Sequence, residues 1–426
     1  MKKSFTKFAG LALLAGASIA TLTGCNGGGA PVYEPGQKVK VGLICLHGDS
    51  STYDKNFIDA WKAAFTNNDK VIFDEANIKT DVEEGEACYD AAKALVKQGC
   101  NMVFADSFGH GEYMKKAAKE FRTVQFAHAT GTDALTGGLD NLHNGFASIY
   151  EGRYLAGMAA GRALLKKGHT ASEAVKVGYV GAWPYAEVKS GYTSWFLGLR
   201  EVMPNATMQV EFTNSWYDET AEKEKANSLI DAGCVLISQH ADSMGAPTAC
   251  DEHTPKIPNV TYNISTQTSC PNSFVAYSAI NWAPYFNAIV DAMYAGTVIE
   301  DEVGRNFTGS LKSGSVVFNT TTNTDVLGAD DVAFLNQKKQ ELAQSDNSAA
   351  IIWDVNKFTV TTTGGKNPTA TVDAQGHLTS CMVDVTGDFV PDVNAVLSFG
   401  DAKYFSESSY RSAPYFELDI DGITLA

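Results

Sequence analysis

The sequence predicts an α/β protein: two doubly wound lobes facing each other across a cleft, followed by a divergent β-and-loop extension. Three observations carry this. Strand-like segments such as Lys38–Leu46 are apolar throughout rather than alternating, as strands covered on both faces are. They alternate with amphipathic helical segments, in two series over roughly residues 38–140 and 170–275. The 426-residue chain is long enough to bury two cores.

In order, Lys38–Leu46 is a strand and Asn56–Thr66 a helix, with Phe57, Trp61 and Phe65 one turn apart. Val71–Phe73 is a strand, Glu84–Gln98 a helix ending at Gly99, Asn101–Ala105 a strand, Glu112–Phe121 a helix and Thr123–His128 a strand. A long helix is expected over Asn144–Lys167, with Gly157 and Gly161 allowing close packing. The second series has strands at Val175–Val180, Met208–Phe212, Cys234–Ser238 and Asn259–Asn263. Its helices are Ser190–Val202, Thr220–Ala232 and Ala283–Ala295. Beyond residue 320 comes a helix, Asp330–Gln344, then a Thr-, Asp- and Gly-rich region with alternating segments at Lys357–Thr362 and Thr371–Asp373.

The N-terminus reads as an export signal. Met1-Lys2-Lys3 with Lys7 is basic, and the uncharged stretch from Phe8 to Leu22 is too short for a stable membrane span. Leu22-Thr23-Gly24-Cys25 resembles the bacterial lipobox, which implies lipidation of Cys25 and attachment to a membrane surface outside the cytoplasm. Asn26-Gly27-Gly28-Gly29 then reads as a flexible tether. The expected organisation is a signal peptide at 1–24, lipidated Cys and tether at 25–37, one lobe from 38–142 with 280–320, a second from 143–279, and an extension at 321–426 that partly completes the lobes.

Lys and Arg number 33 against 49 Asp and Glu, a net charge of −16, which argues against nucleic acid as a partner. The cysteines have no CxxC spacing, so no zinc ribbon or thioredoxin-like site is indicated. Cys45 and Cys234 read as buried thiols, and Cys88/Cys100 and Cys250/Cys270 are open to pairing.

In doubly wound sheets, ligands bind beyond the carboxyl ends of the strands. Those places hold Tyr53, Asp54 and Phe57; Asp106, Ser107 and Phe108; Trp183; Trp216 and Asp218; His240 and Asp242; Asn263; and Trp282. Each residue taken alone is better explained by packing or capping, Asp54 as a helix N-cap for instance. Their recurrence after strand upon strand points to a planar ligand with hydroxyl or ring N–H groups. A P-loop is absent, as are GxSxG and a convincing acid–base pair, so the expectation is a binding protein and not an enzyme. His240 and Asp242 lack further residues at metal-ligand spacing, and no cofactor or metal site is indicated.

Several segments resemble the basic membrane protein family of lipoproteins, substrate-binding components of ABC importers for purine nucleosides and related compounds. They are Tyr53-Asp-Lys-Asn-Phe57, Ser107-Phe-Gly109, Tyr150-Glu-Gly-Arg-Tyr-Leu-Ala-Gly-Met-Ala-Ala-Gly161, Val177-Gly-Tyr-Val-Gly-Ala182, Glu187-Val188, Asn214-Ser-Trp-Tyr-Asp218 and His240-Ala-Asp-Ser243. The resemblance implies a type I periplasmic-binding-protein fold, capture of a purine nucleoside or nucleobase by lobe closure, and an ABC permease as partner. It places Tyr53, Asp54 and Phe57 in a first contact loop, Ser107 and Phe108 in a second, Trp183 between the lobes, and Asp242 as the second lobe's carboxylate. Phe57-Ile58 stands where family members often have Phe-Asn. Alternatives are a sensor of the same fold for another planar molecule, a surface nucleoside hydrolase, and an adhesin using the extension.

Overall fold

Val39, Val41, Leu43 and Ile44 of the first strand are all buried, as a strand with helices on both faces requires. The computed structural model describes residues 33–131, 134, 138–385, 390–409 and 416–426; Cys25 and the glycine tether lie outside them. Strands β1 (Val39–Ile44), β2 (Val71–Ile72), β3 (Ile78–Lys79), β4 (Met102–Ala105), β5 (Gln125–Ala129) and β6 (Leu142–Ala147) belong to the first sheet. Strands β7 (Lys176–Gly181), β8 (Thr207–Phe212), β9 (Ile237–His240), β10 (Asn259–Tyr262) and β11 (Phe274–Ile280) belong to the second. The chain then re-crosses. Strand β12 (Asn306–Gly309) pairs parallel with β6, and β13 (Val316–Thr320) pairs antiparallel with β11. The sequence had placed 280–320 with the first lobe; β13 instead edges the second sheet.

Among the described residues each sheet has seven strands. The orders are β12-β6-β5-β4-β1-β2, with β3 beside β1, and β13-β11-β10-β9-β7-β8 with β19 (Ile423–Leu425) beyond β8. Strand order reverses at β1, between β4 and β2, and at β7, between β9 and β8. Those reversals are where an open α/β sheet leaves a crevice.

The long helix expected over 144–167 is a strand, β6, followed by the helix Tyr150–Lys166. The strand carries His143, Asn144 and Gly145, an unusual composition for a buried strand, and its apolar neighbours merge with the helix pattern. Strand β11 and the helix Gly245–Glu252 were not anticipated at all. Lys357–Thr362 forms no strand. The helices Tyr150–Lys166 and Ala186–Val202 meet backbone to backbone. A Cβ on Gly157 would lie 1.8 Å from the Trp195 carbonyl oxygen, and one on Gly198 1.9 Å from that of Tyr154.

The extension folds onto the second lobe. Its elements are the helices Ala329–Gln344 and Ser348–Ile352, strands β14 (Ala370–Val372), β15 (Leu378–Val383) and β16 (Val393–Asn394), the hairpin β17 (Val396–Phe399) with β18 (Ala402–Phe405), and β19 pairing parallel with β8. Trp353, Phe405 and Phe416 are fully buried, and the Trp353 ring packs on Tyr150 at 5.9 Å between centroids. All seven described cysteines are free and buried, so neither Cys88/Cys100 nor Cys250/Cys270 is bonded.

Candidate functional site

The first lobe contributes the loops after β1 and β4. Ser51 caps the helix Thr52–Phe65, its hydroxyl accepting from the Asp54 N–H at 3.2 Å. Asp54 is therefore not the cap. It lies in the first turn and reaches back, accepting from the His47 N–H at 2.8 Å and the Ser51 hydroxyl at 2.5 Å. Burial pushes its carboxyl up, but these hydrogen bonds outweigh burial and leave it below the usual carboxylate range. Asp106 behaves oppositely. Full burial, then the nearby Asp54 charge, push its carboxyl well above that range. The Tyr53 hydroxyl donates to the Asp106 carbonyl at 2.8 Å. The Ser107 hydroxyl donates to Glu84 at 2.6 Å, and the same carboxylate oxygen accepts from the Gly109 N–H at 2.9 Å.

The second lobe contributes the loops after β7, β8 and β9. Glu187 lies in the first turn of the helix Ala186–Val202, with Oε1 3.5 Å from His240 Nε2. His240 is buried edge-on against Tyr262, 4.6 Å between centroids, and burial lowers its pKa against the pull of Glu187. Behind it the buried Arg153 guanidinium stacks over Tyr262 at 4.3 Å and donates to the Gln239 carbonyl at 3.0 Å. Asp242 is 4 % exposed; burial, then the charges of Asp54, Glu222 and Glu187, push its carboxyl well up. The next residue, Ser243, is held by Glu222, which accepts its N–H at 3.1 and 3.2 Å. Burial pushes Glu222 itself up to about 7.

The two lobes touch. The Thr52 N–H, at the start of the first-lobe helix, donates to the Asp242 carbonyl at 2.7 Å, while the Asp242 N–H donates to the Trp216 carbonyl at 2.9 Å. Phe108 faces Tyr185 at 6.0 Å and His47 faces Tyr217 at 5.4 Å, both across the cleft. Between these contacts lies a small cavity. Tyr53, Asp54, Ser107 and Phe108 line it from one side, and Trp216, His240 and Asp242 from the other. Leu46, Thr130 and Glu187 complete the wall, and among the described residues no Lys or Arg contributes to it.

Other residues marked in the sequence lie elsewhere. Phe57 and Trp282 are core residues, stacked on each other at 4.3 Å. Asp106 sits beneath the cavity. Asp218 caps the helix Glu219–Asp231, accepting from the Ala221 N–H at 2.9 Å. Asn263 is 4 % exposed and takes a left-handed backbone, φ +69°, beyond β10. Trp183 stacks on Tyr185 at 5.6 Å and 9°, and Tyr185 meets Trp216 edge-on at 5.9 Å, so Trp183 is one ring removed from the wall. Glu187 stands in the sequence only within the resembling segment Glu187-Val188; in the first turn of its helix it also complements the helix dipole. Thr130 follows β5, a strand end with no aromatic residue close after it to mark it in the sequence.

A larger, more open groove of about 1060 Å³ lies where the extension meets Lys189. The Lys189 ammonium is paired there with Glu417 at 2.6 Å. This groove stands at neither strand-order reversal.

A family model described as an ABC transporter substrate-binding protein, PnrA-like, matches residues 44–349. A purine-binding protein of Brucella abortus is 31% identical over 335 residues, 77% of this chain and 86% of that protein. A putative ABC transporter glucose-binding protein of Haloferax volcanii is 28% identical over 240 residues, 56% of this chain and 57% of that one. Among solved structures, an ABC transporter solute-binding protein of Conexibacter woesei aligns with a TM-score of 0.57 at 20% identity, covering 72% of this chain and 96% of that chain. One of Aeropyrum pernix gives 0.58 at 14%, covering 72% and 91%.

Proposed function

Since the chain belongs to the PnrA-like family of ABC transporter substrate-binding proteins and folds as a type I periplasmic binding protein, we propose that it captures a free purine base by closure of its two lobes. The family consists of transport receptors and not enzymes, which removes the nucleoside hydrolase alternative. Its members act outside the cytoplasm beside a permease, and among the described residues no helix is long and apolar enough to cross a membrane.

The observation that carries the ligand reading is the cavity wall. Tyr53, Phe108 and Trp216 offer flat apolar faces, and Asp54, Glu187 and Asp242 offer oxygens for ring N–H and amino groups. A wall without Lys or Arg suits a neutral ligand. The lobes already touch around the cavity and leave little free space, and a ribosyl group nearly doubles the heavy atoms of a purine, so the tight enclosure favours the base over the nucleoside. The purine-binding Brucella relative supports the same class. Lipidation of Cys25 supplies the membrane attachment in this account, leaving the glycine tether as slack for docking to the permease.

A thermal-shift screen with purine bases, purine nucleosides and glucose tests the reading. Stabilisation by adenine, guanine or hypoxanthine beyond that by the nucleosides is expected. Stabilisation by glucose alone would place this chain with the sugar-binding relative instead.

A further inference from the structure

Beneath the cavity, at the junction of β1 and β4, several side chains turn electron pairs toward one enclosed place. Residues 44 and 105 are ladder partners, so the next residues, Cys45 and Asp106, emerge side by side at the strand ends. Asp54 joins them from the helix Thr52–Phe65. The Cys45 sulfur and one oxygen from each of Asp54 and Asp106 lie within 4.8 Å of one another, and all three residues are buried. His110 supplies an independent observation. It is 0% exposed, and its Nε2 lies 2.9 Å from the Val82 carbonyl oxygen, so that nitrogen must carry the proton. The other nitrogen, Nδ1, then presents a lone pair. It has no hydrogen-bond partner among the described residues and lies 3.9 Å from Asp106 Oδ1.

We propose that Cys45, Asp54, Asp106 and His110 form a binding site for a divalent cation of zinc type, directly below the ligand cavity. One sulfur, one imidazole nitrogen and two carboxylate oxygens form a borderline-soft donor set, which suits Zn²⁺; Ca²⁺ and Mg²⁺ take oxygen ligands. The supporting contacts are those that hold metal ligands in place. The His110 Nε2–H is fixed on a backbone carbonyl, Asp106 Oδ1 accepts from the Leu46 N–H at 3.2 Å, and Asp54 Oδ1 accepts from the His47 N–H at 2.8 Å. Tetrahedral zinc with these donors sets them roughly 3.3–3.6 Å apart, so Cys45, Asp54 and Asp106 draw together on binding and the His110 ring, 3.9 Å from Asp106 Oδ1, moves in to join them. Since Asp54 also lines the cavity, the cation would fix the carboxylate that faces the ligand. The inference stands whatever the ligand is.

Equilibrium dialysis of the metal-free protein against Zn²⁺, with metal analysis, tests it, together with the absorption spectrum after Co²⁺ addition. One equivalent of zinc and a thiolate-to-cobalt charge-transfer band are expected. Both should be lost in Cys45→Ala and Asp106→Asn, each checked for cooperative thermal unfolding. Wild-type protein that retains no stoichiometric zinc and shows no cobalt band would overturn the site. So would zinc retention unchanged in a folded Cys45→Ala protein, since it would place the ion elsewhere.

Discussion

Asp242 is held by its backbone from both sides, by the Trp216 carbonyl on its own lobe and the Thr52 N–H on the other. Its side chain is thereby left to face the cavity. Trp216 supplies the flat wall beside it, and a purine stacked there gains about 1–3 kcal/mol, so Trp216→Ala should weaken binding about 5- to 150-fold by calorimetry. Trp183→Ala, one ring removed, should cost much less. Both tryptophans look alike in sequence, each following a strand; only the stacking of Trp183 on Tyr185 separates them. Phe57 and Trp282 were misplaced for a related reason. Being aromatic at a strand or helix end marks a candidate, but whether the ring turns to core or cleft depends on packing partners far away in the chain.

The same loop gives a pH dependence. Glu222 rises from the ordinary 4.5 to about 7 because it is buried. Its folded-state pKa exceeds the unfolded one, so the folded chain holds the extra proton between those values. Stability from this group is full below about pH 4.5 and lost as pH rises through about 7, by roughly 3 kcal/mol. Urea unfolding at pH 5 and pH 7.5 should show that fall, and Glu222→Gln should flatten it. An equal fall in the variant would assign it to other buried carboxyls.

At the scale of elements, the helix Thr52–Phe65 does two things. It buries Phe57, Trp61 and Phe65 in the first lobe, and its first N–H reaches across to the second. The orphan donors of a helix start make this natural. Ser51 has extended φ and ψ (−79°, 129°), which a following proline accepts, and proline is tolerated at the first helical position. Thr52→Pro therefore removes the inter-lobe hydrogen bond while leaving the helix intact. Ligand affinity should drop by about 2- to 12-fold, corresponding to about 0.5–1.5 kcal/mol, with little change in unfolding of the ligand-free protein. A large loss of ligand-free stability would show that the residue serves the fold instead. Periodicity revealed this helix, but it missed the first turn, whose Thr52-Tyr53-Asp54 lacks an apolar face pattern. The strand β6 escaped for the opposite reason, since its residues continue into a helix without a break that sequence patterning registers.

For the whole molecule, alternation of apolar strands and helices was enough to read two doubly wound lobes, because burial on both faces leaves a compositional trace. The extension left no such trace. Its strands are short, and its hydrophobic residues are spaced by loops, yet they close over the helices Tyr150–Lys166 and Ala186–Val202. Trp353, Phe405 and Phe416 form a buried group there; Lys189 pairs with Glu417, and Ser190 donates to Glu407 at 2.5 Å. The extension is thus part of the second lobe's core. A chain ending at residue 320 should lose cooperative thermal unfolding and soluble yield, since those helix faces and the β8 edge become bare. A truncated chain that folds and binds like the full one would make the extension dispensable.

The proposed site for a purine base lies between the lobes at the ends of β1, β4, β8 and β9. A crystal structure of the protein grown with adenine tests it most directly. The base should lie in the cavity between the lobes, in contact with Trp216 and with a ring or amino N–H on Asp242. Adenine found in the groove between the extension and Lys189, with the inter-lobe cavity empty, would contradict it.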